Sequence, residues 1–151
     1  MAKKPELSLR VRAMRYLARR EYSRVELGAK LSLYAQEGDD VDAVLDELVT
    51  RGWLSDERAL TQLLHVKRRR FGTQRIAHEL RQKGIAEELI SVSLPSLQES
   101  ELSAAREVWQ KKFGTLPLDA KEKAKQMRFM QSRGFSMDVT FKVLRSVEEE
   151  C

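Results

Sequence analysis

The side chains that most often carry catalysis or hold a metal are sparse in this sequence. His65 and His78 are its two histidines and Cys151 its one cysteine. His78-Glu79 lacks the second His four residues on that a helical zinc site needs, and neither histidine has a Cys or acidic partner at ligand spacing. There is no glycine-rich phosphate loop, no Gly-x-Ser-x-Gly elbow and no dinucleotide fingerprint. The expectation is a protein that is not an enzyme and uses no metal or cofactor. A lone cysteine cannot close an internal disulfide, which suits a reducing compartment.

Fixed positive charge is what the sequence has in quantity. The densest run is Lys67-Arg68-Arg69-Arg70, with Arg75 following near the start of the next helix, where free backbone N–H groups already favour phosphate. Four consecutive residues sweep about 400° of a helix, so they cannot share one surface, and at least one is expected to turn toward a neighbouring element. Arg12, Arg15 and Arg19 form a row on one face of the first helix, with Arg24 at the start of the second. Lys111, Lys112, Lys121, Lys123 and Lys125 make the third cluster. Lysine-rich clusters attract phosphates as point charges with little regard to sequence, and no interleaved aromatics suggest base stacking. The competing reading is of solvated helix faces and termini.

The elements that would position these groups are helical. The chain has 151 residues, of which 34% are charged, with 7 Gly and 3 Pro, a composition of long exposed helical faces rather than turn-rich sheet. Apolar residues recur at three- and four-residue spacing in nine short runs. The first spans about Ser8 to Arg20, with Leu9, Ala13, Tyr16 and Leu17 inward. Ser23-Arg24-Val25-Glu26 is a capping box opening the second, and a third carries Val41, Val44, Leu45 and Leu48. Ser55-Asp56-Glu57 starts the fourth, Thr73 the fifth, and a sixth runs from Ala86 to Leu94 before Pro95. The seventh, about Gln98 to Phe113, has Leu102, Ala105, Trp109 and Phe113 on its stripe. Asp119 introduces the eighth, with Ala124, Met127 and Met130 inward, and Ser136 caps a ninth carrying Val139, Phe141, Val143 and Leu144. Arg51-Gly52-Trp53, Lys83-Gly84-Ile85 and Arg133-Gly134-Phe135 are alike: a cation, a glycine for the left-handed cap, and an apolar residue that packs back.

These runs group into three units of three helices, at 1–54, 55–95 and 96–151, each too small to bury a core unaided. Charge follows the grouping. Residues 1–36 carry net +6, 37–57 net −7, 58–83 net +7, 84–107 net −4, 108–135 net +5 and 136–151 net −2. Basic charge therefore falls on the first two helices of each unit and acidic charge around the third. A stack of similarly oriented units would display a broken positive stripe, as expected of a protein lying along a polyanion, unless the blocks neutralise one another internally. The start Met1-Ala2-Lys3-Lys4-Pro5 leads into no apolar signal segment, and no stretch approaches the roughly 20 apolar residues that span a bilayer. A cytoplasmic protein without a membrane partner is expected.

Three stretches, taken in order, resemble the bacterial RecX family of RecA modulators. The first is Arg19-Arg20-Glu21-Tyr22-Ser23-Arg24-Val25-Glu26-Leu27 followed by Arg51-Gly52-Trp53-Leu54-Ser55-Asp56-Glu57-Arg58-Ala59. The second is Arg69-Arg70-Phe71-Gly72 through Arg75-Ile76, Glu79-Leu80 and Gln82-Lys83-Gly84-Ile85. The third is Lys112-Phe113-Gly114, Lys121 to Phe129 and Arg133-Gly134-Phe135. Trp53 and Phe135 stand where the family often has Tyr, and Ser55 where it often has Asp, so packing and capping are kept.

The resemblance implies an all-α fold, a tandem of three-helix repeats in an elongated, curved, right-handed array. It also implies a protein that binds the RecA filament on single-stranded DNA and restrains filament growth, ATP hydrolysis, strand exchange and co-protease activity; a monomer is expected. Arg12, Arg15, Arg19, Arg24, Lys67, Arg68, Arg69, Arg70, Arg75, Lys111, Lys112, Lys121 and Lys125 are the candidate contacts to DNA or RecA. Two other readings remain: a stand-alone helical protein recognising duplex DNA, and a structural adaptor with no DNA role.

Overall fold

A computed structural model describes residues 7–150. The readings of Met1-Ala2-Lys3-Lys4-Pro5 and of Cys151 lie outside the described residues. These fold into eight helices and no strand: α1 (Leu9–Arg19), α2 (Arg24–Ser32), α3 (Val41–Thr50), α4 (Asp56–Lys67), α5 (Thr73–Gln82), α6 (Glu87–Lys112), α7 (Ala120–Ser132) and α8 (Met137–Glu150). They belong to two compact units, one holding residues up to Gln62 with Lys83–Ile85, the other Leu63–Gln82 and the chain from Ala86 onward.

In the first unit, local capping fixes where helices begin. The Val11 N–H donates to Ser8 Oγ at 3.2 Å, the Ala43 N–H to Asp40 Oδ1 at 3.1 Å, and the Arg58 N–H to Ser55 Oγ at 3.2 Å. The core then closes around Leu9, Ala13, Tyr22, Leu27, Leu31, Leu45, Leu48 and Leu54. The Ser23–Glu26 capping box forms as read from the sequence, and it does more than cap. Ser23 is fully buried and its hydroxyl donates to the Lys83 carbonyl at 2.5 Å. Glu26 accepts two hydrogen bonds from the Arg20 guanidinium, at 2.7 and 3.2 Å, and lies 3.5 Å from Lys83 Nζ.

Burial alone would push the Glu26 carboxyl up. The hydrogen bonds from Arg20, the Lys83 and Arg20 charges and the Ser23 N–H outweigh it, holding the group below the usual carboxylate range. A carboxyl so depressed contributes fully above its unfolded value, about 4.3, and the contribution vanishes as pH falls through the lower folded value. Glu26→Gln is therefore expected to cost about 1–2 kcal/mol at pH 7. Urea midpoints of the two proteins should converge toward pH 3; a gap that stayed constant with pH would refute the assignment.

The second unit is built on α6. The sequence reading ends one helix at Pro95 and starts another at Gln98, but the structure runs a single helix of 26 residues through the proline. Proline inside a helix costs about 3 kcal/mol through its missing N–H and its clash with the preceding turn. Ile90 and Leu97, two turns apart on one face and almost wholly buried, each return about 1.5–3 kcal/mol on either side of it, so packing wins. Nine expected helices thus become eight.

The C-terminal half of α6 packs with α7 and α8 around Trp109, Met130, Phe135 and Val143, all buried. Trp109 Nε1 donates to Gln126 Oε1 at 2.8 Å, and Gln126 Nε2 to the Thr115 carbonyl at 3.1 Å, so the buried polar groups are paired. Two expected core residues lie elsewhere. Leu102 is exposed although it lies one heptad before the fully buried Trp109 on the same side of α6, and helical spacing does not explain the difference. Phe141 is exposed because α8 turns Thr140, Val143 and Leu144 inward; the buried Thr140 hydroxyl donates to the Ser136 carbonyl at 3.0 Å.

The three glycine stops adopt the left-handed conformation expected of them, with φ of +76°, +73° and +89° at Gly52, Gly84 and Gly134. At the last, the Phe135 N–H reaches back to the Met130 carbonyl at 3.1 Å. This turn also meets the turn after α4, where the Gly72 N–H donates to the Arg133 carbonyl at 2.7 Å. A Cβ on Gly72 would overlap the Gly134 carbonyl, and one on Gly134 would overlap the Arg75 side chain.

A candidate polyanion-binding cleft

Three helix C-termini of the second unit converge on one cleft of about 480 Å³. The end of α4 and its turn supply Val66, Arg69 and Arg70; the end of α6 supplies Val108, Lys111 and Lys112; α7 supplies Phe129 and its C-cap Arg133. Each terminus is the negative end of its helix dipole, which favours cations there. The apolar floor then concentrates their field toward the opening.

The ring of Phe129 meets two of the cations. Its centroid lies 5.1 Å from the Arg133 guanidinium and 5.2 Å from Lys112 Nζ, and its edge meets Phe113 at 5.4 Å. None of the eight lining residues is acidic. Among the described residues, the ion pairs leave all five lining cations unengaged. The arrangement has no nucleophile, acid or base placed for chemistry; it can hold a chain of anionic groups.

Other candidates from the sequence spend their charge within the molecule. Arg68 is the member of the basic run that turns inward, donating to the Leu97 carbonyl at 2.6 Å and to Thr73 Oγ1 at 3.2 Å. Its burial depresses the guanidinium against the opposing charge of Glu101. Arg75 donates to the Ser132 carbonyl at 3.0 Å and lies over the Phe71 ring at 4.1 Å. Lys67 sits 3.8 Å from Glu79, and Arg24 2.6 Å from Asp46.

Arg12 lies 3.8 Å above the Tyr34 ring. Arg15 and Arg19 are exposed on α1, and Lys121 and Lys125 on α7. Of the thirteen candidates the cleft thus gathers Arg69, Arg70, Lys111 and Lys112. Sequence reasoning missed Arg133, taking it only as a helix-end cation. Its signal was present, since all three basic helix ends precede a glycine stop. His65 and His78 are both exposed, and the described residues hold no cluster of three or more metal-ligating side chains.

The described residues thus form an all-α protein whose second unit carries a cleft of cations outside every ion pair. Three family models match it in tandem order: the first three-helix domain of RecX at residues 10–48, the second at 55–94 and the third at 99–144. The chain belongs to the RecX family. It is 46% identical over 147 residues to "Regulatory protein RecX" of Leptothrix cholodnii, covering 97% of this chain and 94% of the relative. It is 45% identical over 137 residues to the protein of that name from Chromobacterium violaceum, covering 91% and 89%. The crystal structure of RecX from Lactobacillus salivarius matches with a TM-score of 0.76 at 16% identity, covering 93% of this chain and 94% of that one, and so shares the fold. No helix among the described residues is long and apolar enough to cross a membrane.

Proposed function

We propose that this chain is a non-enzymatic inhibitor of the RecA recombinase. It docks on RecA filaments formed on single-stranded DNA and limits their growth, ATP hydrolysis, strand exchange and co-protease activity. Its relatives' name, a regulatory protein, supports a modulating role. The observation on this chain that carries the reading is the cleft of five unpaired cations over an apolar floor, suited to DNA phosphates or to acidic side chains of a filament. It acts as a cytoplasmic monomer whose repeat units, 1–54, 55–95 and 96–151, engage successive subunits. Each contact can then be weak, because the second and third are effectively intramolecular.

The test is RecA's ATPase on single-stranded DNA, titrated with the purified protein. Hydrolysis is expected to fall at or below one protein per RecA; a flat response over a wide concentration range refutes the proposal. Selection of a preferred motif from random duplexes, without any effect on RecA, would favour the stand-alone duplex binder instead.

A further inference from the structure

α1 has two apolar faces. Leu9 and Ala13 are buried in the core of the first unit, with Tyr16 and Leu17 packed against it. Val11, Met14 and Ala18 follow one another at three- and four-residue spacing on the opposite side, and all three are exposed, Val11 by 41% and Met14 by 38%. Trp53, after α3, is itself 37% exposed and stands beside this stripe. Together they line a groove of about 400 Å³ with Arg10 and Arg15.

The edges are cationic. By helical spacing Arg10 and Arg15 flank the aliphatic stripe on its two sides. The Arg10 and Arg51 guanidiniums lie 5.9 and 5.2 Å from the Trp53 ring. α1 contains no acidic residue; Glu47 of α3 pairs with Arg10 at 3.3 Å and with Arg51 at 3.0 Å, which leaves Arg15 outside every ion pair among the described residues. A ridge of side chains at three- and four-residue spacing is the complement of another helix, and cations on both edges select acidic flanks. Nucleic acid fits less well: the floor is aliphatic, and guanidiniums already lie at the one indole.

We propose that this groove docks an amphipathic helix of a partner protein, with apolar residues at i, i+4 and i+7 filling it and flanking Asp or Glu pairing with Arg10 and Arg15. The site lies in the first unit and is separate from the cleft described above, so it stands or falls independently of that cleft's role.

The probe is a fluorescein-labelled 18-residue helical peptide with Leu at positions 4, 8, 11 and 15, Glu at the flanking positions and Ala elsewhere. Its twin carries Lys for every Glu. Two readouts are taken on the full chain, peptide anisotropy and acrylamide quenching of tryptophan; Trp109 is fully buried, so quenching reports Trp53. Saturable binding of the acidic peptide is expected, with quenching reduced at least twofold and the Lys twin at least tenfold weaker. Met14→Glu and Arg15→Glu, both at exposed positions, should each weaken binding at least tenfold at unchanged Tm, whereas Arg70→Glu in the cleft should leave it unchanged. Equal binding of the twins, continued quenching of Trp53 in the complex, or indifference to Met14→Glu would overturn the proposal. So would protection of Trp53 by oligothymidylate, or by self-association of the protein without peptide.

Discussion

Gly72→Ala is expected to destabilise the second unit by about 3 kcal/mol or more, a large share of the stability of a small domain. Gly72 has no positive φ, so backbone strain is not the reason. A methyl group there meets the backbone of Gly134 and Phe135, which cannot rotate aside as a side chain could. The two turns must separate, and the Gly72 N–H to Arg133 carbonyl bond of 2.7 Å is lost with them. Gly38→Ala is the control: Gly38 has φ of +90° but open space around a Cβ, so it should cost only about 1 kcal/mol. Urea unfolding of both variants decides the matter, and equal midpoints would show that the turns do not depend on their close approach.

The second large effect is on binding. Reversing Arg69, Arg70 and Lys112 together to Glu is expected to weaken association with RecA filaments on single-stranded DNA at least 100-fold. If the cations meet phosphates, three lost contacts at about −0.7 each should make the log–log salt slope shallower by about 2. If they meet acidic side chains, affinity falls with a smaller change of slope. All three residues are exposed, so the unfolding midpoint should stay close to that of the parent protein. Arg68→Glu should behave oppositely, lowering stability by leaving a charge half-buried beside the Leu97 carbonyl and Glu101. Unchanged filament binding by the triple variant would place the contact surface elsewhere.

Local chemistry was the most legible part of the sequence. Ser23, Ser55 and Ser136 cap their helices as read, because a cap needs only a few neighbouring residues. The glycine stops were legible for the same reason. Pro95 misled because its local cost is overridden by burial of Ile90 and Leu97, a tertiary term that periodicity cannot weigh. Phe141 misled because hydrophobicity ranks Phe above Thr for the core, whereas α8 buries Thr140, Val143 and Leu144, and at about 100° per residue Phe141 lies beside that face. At the candidate cleft, charge density marked Lys67 to Arg70, but which of those residues stay free depends on the carbonyls and carboxylates that folding brings alongside them. Arg68 and Lys67 meet such groups; Arg69 and Arg70 do not. Arg133 enters the site only because the ends of α4, α6 and α7 come together.

Because α6 continues through Pro95, one rod about 39 Å long at 1.5 Å per residue joins the family's second and third three-helix domains. No slack tether separates them, and a polymer that grips both loses no entropy in ordering one. If the proposed filament is gripped at both, its handholds must recur at an interval that this one stiff rod can span.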